Sequence, residues 1–293
     1  MSSKVSGNYP PAENLVPLHG NTNEQFATRL IGYARHLKQY SYLLQQLIIV
    51  DITNAYKRSF IGLSWLVITP IVSVLVWILL HGAGIMEPGK TDIPYPAYVL
   101  LSTSIWSFFQ GAYQVTSNVI SNSGRFMVTA KFPHEVLVVE QVIVHIINFV
   151  IPFFINIVVL LAYGIDFSWA ALLFPLTLIP LLFLGTGLGL LVALLRVVAV
   201  DFSKLADQCV TFLMFLTPII YAPQIKLTWL ASIVKYNPLT YLIGFSRNLL
   251  TQGTLYEPYY YFVFSLASLV FFFICLRIFM KYEGNLLERL INV

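Results

Sequence analysis

Apolar positions along this chain fall into long unbroken runs, where a water-soluble domain would show short alternations or narrow stripes. Residues 60–80 carry no charge, and as a helix rising 1.5 Å per residue they reach about 31 Å, the thickness of a bilayer's hydrocarbon core. Residues 95–120 are also uncharged, 136–163 hold a single acid, Glu140, near the start, and 169–195 are apolar but contain Pro175 and Pro180. A shorter run over 205–221 has Asp207 near its beginning and stops at Ala222-Pro223-Gln224. The last run, 259–280, places Arg277 in its final turn. The pattern predicts an all-α polytopic membrane protein with six transmembrane helices.

The flanks follow other patterns. Residues 1–25 are rich in Pro, Asn and Ser and lack periodicity, which predicts a disordered or loosely ordered arm. They contain no apolar core of the kind a signal peptide needs, so insertion is expected to begin from an internal helix. Between 26 and 58, Leu37, Tyr40, Leu44, Leu47 and Ile48 recur at helical spacing, with Arg35, Lys38 and Gln45 off that stripe. Such a helix lies along a membrane surface rather than across it. The spans then belong to one transmembrane domain over 59–281, and 282–293 form a tail.

Composition agrees. Hydrophobic residues make up 58% of the 293 and charged residues 10%, far below the roughly 25% that a water-facing surface uses. The basic residues set the orientation. With the N-terminus inside, 13 of the 17 lysines and arginines fall on the inner side, and Lys90, Lys226, Lys235 and Arg247 fall outside. Both termini are therefore expected in the cytoplasm. Tyr95, Tyr98, Trp169 and the run Tyr259-Tyr260-Tyr261 sit at the expected outer boundaries, as interfacial aromatics do. Cys209 and Cys275 lie inside apolar runs and are expected to be buried thiols, without disulfide or metal-ligand spacing.

Two strings imitate nucleotide sites. GIMEPGKT (84–91) matches G-x-x-x-x-G-K-T, but a phosphate loop needs a strand before it and a helix starting at the Lys-Thr. Here the end of an apolar helix precedes it, and Pro94 and Pro96 follow. It is expected to be a plain outer loop. Gly185-Thr186-Gly187-Leu188-Gly189 lies mid-membrane, where small residues let neighbouring helices approach closely.

No nucleophile–base pair or metal-ligand cluster stands out, so no catalytic and no metal-binding residue is assigned. His145, Asn148, Pro152 and Asn156 fall near one face of the third span, either joining helices or facing a substrate path. Residues 122–141 set Arg125, Lys131, His134 and Glu135 around Phe126, Met127 and Phe132. The segment is either a partner-docking element or a connecting loop.

Three blocks then form one pattern: AYKRSFIGLSWLVITP (55–70), KFPHEVL (131–137) and FLTPIIYAPQ with YNPLTYLIGFSRNLL (215–224 and 236–250). Together, over roughly residues 40–285, they resemble the membrane permease of type-2 ABC exporters, most of all the branch that exports O-antigen, capsule and teichoic acid. Tyr56, Lys57, Ser59, Gly62, Trp65 and Pro70 match the family's first block, Phe132-Pro133 its coupling region, and Pro218, Tyr221, Asn237, Pro238 and Arg247 its fifth span and outer segment. The chain departs from the pattern at Ala55, where the family often has Arg, and at Val200-Asp201, where it often has Arg-Asp.

The resemblance implies a homodimer in the bacterial cytoplasmic (inner) membrane. It carries a lipid-linked polysaccharide, O-antigen first, and is driven by two copies of a separate ABC ATPase. ATP and magnesium would bind that partner, with no cofactor in this chain, and no nucleic acid is involved. The resemblance assigns Arg125, Phe126, Lys131, Phe132, Pro133, His134 and Glu135 to ATPase coupling. Tyr56, Lys57, Arg58 and Ser59 would meet the substrate head group at the inner leaflet, unless Lys57 and Arg58 only anchor the chain to anionic lipid. Trp65, Trp77, Phe212, Phe215 and Tyr221 are candidates for lining the channel, where aromatic faces stack on sugars, or else for packing. Trp229, Asn237 and Pro238 are assigned to an outer gate within 222–258. The competing readings are a type-2 exporter of a lipid or drug, an integral membrane glycan transferase, and an ion-coupled carrier. A transferase would cluster acids or histidines at one interface, and a carrier would show internal repeats and mid-membrane carboxylates.

Overall fold

A long apolar helix can bury its sides in lipid or in other helices, and the chain divides its runs between the two. The computed structural model describes residues 37–57, 64–85, 89–122, 134–224 and 227–291, together with 32, 33 and 35. Among these residues there are helices and turns and no strand. Three helical segments are long and apolar enough to cross a membrane, Val136–Ala162, Trp169–Val198 and Pro258–Tyr282. The described residues are thus all-helical, consistent with a multi-pass membrane protein.

The first helix, α1 (Ser41–Lys57), packs against α4 (His134–Ala162). Leu43, Leu44 and Leu47, with Leu37 and Tyr40 just before the helix, close over a small core of Val136, Leu137 and Phe279. The amphipathic stripe expected from the sequence thus meets protein along this face. Helix α2 (Trp65–Gly82) leaves Ile71, Val72, Leu75, Val76 and Leu79 exposed along one side. Just past its end Gly84 takes φ +69°, and Gly89, further along the connection, takes φ +83°, a left-handed geometry that suits glycine.

Helix α3 (Tyr95–Ser117) starts at Pro94, with Pro96 in its first turn where a missing N–H costs nothing. It is the centre of the bundle, and Tyr98, Ile105, Trp106, Phe109 and Tyr113 are all but fully buried. This explains its weaker apolar signal: neighbouring helices surround it, so its polar side chains find partners without meeting lipid.

The run expected over 169–195 is not one helix. A 3-10 turn (Trp169–Leu173) leads into the short α5 (Phe174–Thr177) and then α6 (Ile179–Val198). Pro175 and Pro180 each sit at the start of a helical piece, where the ring replaces an N–H that would otherwise lack a partner. Gly185 and Gly189 press α6 onto α3: a Cβ at Gly185 would stand 2.6 Å from the Phe109 carbonyl, and one at Gly189 2.6 Å from the Tyr113 carbonyl. Gly187 instead faces Phe271 and Phe272 on α10 (Pro258–Ile291). The mid-membrane glycines are a helix-packing seam.

The run expected over 205–221 is helical only as α7 (Val200–Phe212), 13 residues or about 20 Å. Residues 213–222 continue as turns. Two further helices follow, α8 (Thr228–Tyr236) and α9 (Pro238–Gln252), the second largely buried. Cys275 is buried on α10, whereas Cys209, expected to be buried, is exposed because α7 leaves much of its circumference uncovered. The bundle has two ends, named here for Tyr95 and for Arg196.

Candidate functional site

At the Tyr95 end, the turns after α7 carry backbone carbonyls that are largely buried and outside any helix, so each must find a donor. The donors are side chains of α3 and α9. Tyr95 donates to the Ile220 carbonyl at 3.1 Å, and Tyr98 shares its hydroxyl hydrogen between the carbonyls of Pro218 (3.1 Å) and Tyr221 (3.0 Å). Arg247, only 4% exposed, reaches Ser102 Oγ at 3.1 Å and the Pro218 carbonyl at 3.5 Å. Burial pushes the phenol of Tyr256, in the turn before α10, above its usual value, and Arg247 nearby opposes that.

Asn237 joins the same junction. Its Oδ1 accepts from the Leu239 N–H and so caps α9, while its Nδ2 donates to Thr217 Oγ1 at 2.8 Å and to the Leu216 carbonyl at 3.1 Å. Pro238 is the first residue of α9. Trp229 stands exposed on α8. Of the three residues assigned to an outer gate, Asn237 and Pro238 are thus built into the junction and Trp229 is free of it. Leu213, Leu216, Ile233 and Tyr236 line an apolar groove of about 470 Å³ beside Asn237 and Pro238.

Four of the five aromatic candidates come together. Trp77 and Phe215 meet edge to face with ring centres 6.5 Å apart, and Phe212 and Phe215 are 6.2 Å apart. Tyr221 donates its hydroxyl to the Phe215 carbonyl at 3.0 Å. Phe212 and Phe215 keep exposed faces. Trp65 stands apart at the other end of α2, 51% exposed.

At the Arg196 end lies a polar cluster that the sequence reading did not assemble. Arg196, in the last turn of α6, forms an ion pair with Asp207 on α7, donating from Nη2 to both carboxylate oxygens at 2.9 and 3.0 Å. Its Nε donates to the Ser117 carbonyl at 3.1 Å. Tyr113 adds a short hydrogen bond to Asp207 Oδ1, 2.6 Å. Beside them Trp106 Nε1 donates to Gln110 Oε1, and Gln110 Nε2 reaches Thr211 Oγ1 at 3.5 Å. The signal in the sequence was a lone acid opening one apolar run and a lone arginine closing the run before it.

The polar residues of α4 hold helices together. His145 Nε2 lies 2.9 Å from the Phe108 carbonyl and its ring stacks on Phe108. Asn156 accepts from Ser104 Oγ and donates to the Pro152 carbonyl. Of the coupling candidates, Arg125, Phe126, Lys131, Phe132 and Pro133 lie outside the described residues, while His134 and Glu135 open α4. Among the head-group candidates, Tyr56 and Lys57 close α1, and Arg58 and Ser59 lie outside the described residues. GIMEPGKT follows a helix, and α3 starts only at Tyr95, so the described part of the string is loop.

The described helices thus form a bundle whose polar side chains mostly bind other helices, with irregular backbone held at one end. The profile of the ABC-2 type transporters matches residues 42–251, and the chain belongs to that family. Among characterised proteins it is similar to the O-antigen export system permease protein RfbA of Myxococcus xanthus, 28% identical over 192 residues, 66% of this chain and 73% of that one. It is also similar to the protein of the same name from Klebsiella pneumoniae, 24% identical over 229 residues, 74% of this chain and 85% of the relative.

Proposed function

We propose that this chain is the membrane permease of an ABC exporter that carries a lipid-linked polysaccharide, O-antigen first among the candidates, across the bacterial inner membrane. The observation that carries this reading is the family match over residues 42–251 together with two relatives named as O-antigen export permeases. The aromatic group of Trp77, Phe212, Phe215 and Tyr221 supports it. Flat apolar faces grip the C–H faces of sugars without fixing one register, as a long moving glycan requires.

In this reading the Arg196 end faces the cytoplasm with both termini, and six spans cross the membrane. Two copies pair along their exposed apolar faces, of which α2 is one. Tyr56, Lys57, Arg58 and Ser59 receive the diphosphate head group. Residues 125–135, centred on Phe132-Pro133, couple to two ATPase subunits that hold the ATP and magnesium, so this chain is a transporter subunit and not itself an enzyme. Trp229, Asn237 and Pro238 border the exit.

Co-expression with an ABC ATPase from the same genome, followed by purification and reconstitution, tests the reading. A stable complex that hydrolyses ATP, and loses hydrolysis when Phe132-Pro133 is replaced by Ala-Ala, is the expected result. Purification of the chain alone, with surface glycan unchanged when its gene is deleted, would overturn it.

A further inference from the structure

Helices α3 and α7 each carry a polar row. On α3 and its C-terminal cap, Gln110, Gln114 and Asn118 repeat every fourth residue, and on α7 Asp207 and Thr211 do the same. Residues so spaced share one helix face. The two rows border a cleft of about 210 Å³, with Tyr113 as its remaining wall, room equal to the share of about seven liquid waters.

Side-chain amides and hydroxyls lining a cleft can give and take hydrogen bonds with whatever enters it. Some of these are bound already, since Tyr113 and Arg196 hold Asp207, and Trp106 and Thr211 hold Gln110. The side-chain amide of Gln114 is exposed and has no hydrogen bond among the described residues. Asn118 uses only its Nδ2, donating to the Gln114 carbonyl and Ser117 Oγ, which leaves its Oδ1 to accept.

The chemistry of what remains is selective. The Gln114 amide offers a donor and an acceptor side by side and Asn118 Oδ1 a further acceptor, which suits adjacent hydroxyls that both give and take hydrogen bonds. Phosphate fits poorly, because the cation here is spent: Arg196 is taken by Asp207 and Ser117, and the carboxylate would repel an anion. An acyl tail would strand the amides without partners.

We propose that this cleft is a sugar-binding site, in which the Gln114 amide and Asn118 Oδ1 hold one neutral ring of the passing glycan by its hydroxyls, with Gln110 and Thr211 forming the wall beside them. The proposal rests on the export reading and places a sugar contact apart from the head-group and aromatic candidates. Asp207 and Arg196 act as positioning residues that fix α7 against α3 and keep the site electrically neutral.

Site-specific photocrosslinking in cells making their own glycan tests it. A benzophenone side chain is introduced at Gln114, at Asn118, and at the lipid-side control Phe154, which is 61% exposed on α4. Irradiation is expected to attach glycan, read as a laddered mobility shift, at positions 114 and 118 and not at 154. The double variant Gln114→Ala with Asn118→Ala is expected to lower surface glycan about fivefold or more, the effect of losing one net hydrogen bond or two, with the amount of chain in the membrane unchanged. Crosslinks from Phe215 but not from 114 or 118 would overturn the site while leaving the export reading intact. So would capture of phospholipid alone, or of a second copy alone, at 114 and 118, and so would undiminished glycan in the double variant. Surface glycan that survives deletion of the gene would instead remove the export reading, and the site with it.

Discussion

The guanidinium carbon of Arg247 lies 4.1 Å from the centre of the Tyr98 ring, stacked over it between α9 and α3. Among the described residues no carboxylate pairs with it. Its partners are an aromatic face, the Ser102 hydroxyl and the Pro218 carbonyl, so this buried cation serves the irregular backbone after α7. Arg247→Ala is expected to destabilise the purified protein by about 3 kcal/mol, from the lost charged hydrogen bonds and cation–π contact. Arg247→Lys should recover only part of that, lacking the planar fork. Denaturant midpoints in detergent check both, and a neutral Arg247→Ala would show that the turns hold without it.

Asn237 separates two roles in one side chain. Asn237→Asp keeps the oxygen that caps α9 but loses both Nδ2 hydrogen bonds, while Asn237→Ala loses all three. The alanine variant is expected to cost about 2 kcal/mol or more, and the aspartate variant more still, because its second oxygen sets a buried charge against the Leu216 carbonyl. Limited proteolysis between α7 and α9 should report the same order.

The glycine seam predicts a contrast between neighbours. Gly189→Ala drives a methyl into the Thr116 side chain and the Tyr113 carbonyl, whereas Gly187→Ala meets only Phe271 and Phe272 at 3.2–3.3 Å. Overpacking of the first kind costs about 1–3 kcal/mol or more. The yield of monodisperse protein should fall sharply for Gly189→Ala and little for Gly187→Ala.

The Arg196–Asp207 pair is half-sheltered, its side chains 17% and 34% exposed. A double-mutant cycle with Arg196→Met and Asp207→Asn is expected to show a coupling of about 1–2 kcal/mol. Either single change should cost more than the pair of changes, because each leaves a charge without its partner.

GIMEPGKT is expected to be silent toward nucleotide. Lys90→Ala should leave photolabelling by an azido-ATP probe at background, as in the unaltered chain. Labelling that depends on Lys90 would contradict the loop geometry.

The helices were legible because lipid demands long apolar runs, and the glycine seam because close helix contact demands small residues. Where a helix meets protein on all sides, that demand lapses: α3 buries Tyr98, Trp106 and Tyr113 with Ser102 and Thr116, so its run looked weak. The stops inside the apolar runs were hidden for another reason. Residues 213–222 leave the helix where Tyr95, Tyr98, Asn237 and Arg247, far away in sequence, supply hydrogen bonds. Long-range compensation of that kind leaves no local trace. The pairing of Arg196 with Asp207 was missed similarly, since the two charges lie on separate helices and only the fold makes them neighbours.

The contact through Gly185 and Gly189 has a mechanical meaning. With no side chain between them at these points, α3 and α6 cannot slide or roll without collision of the Phe109 and Tyr113 carbonyls against the opposite backbone. The two helices therefore form one beam running from Arg196 to the junction at Tyr98. The turns after α7 hang on that beam by the hydroxyls of Tyr95 and Tyr98.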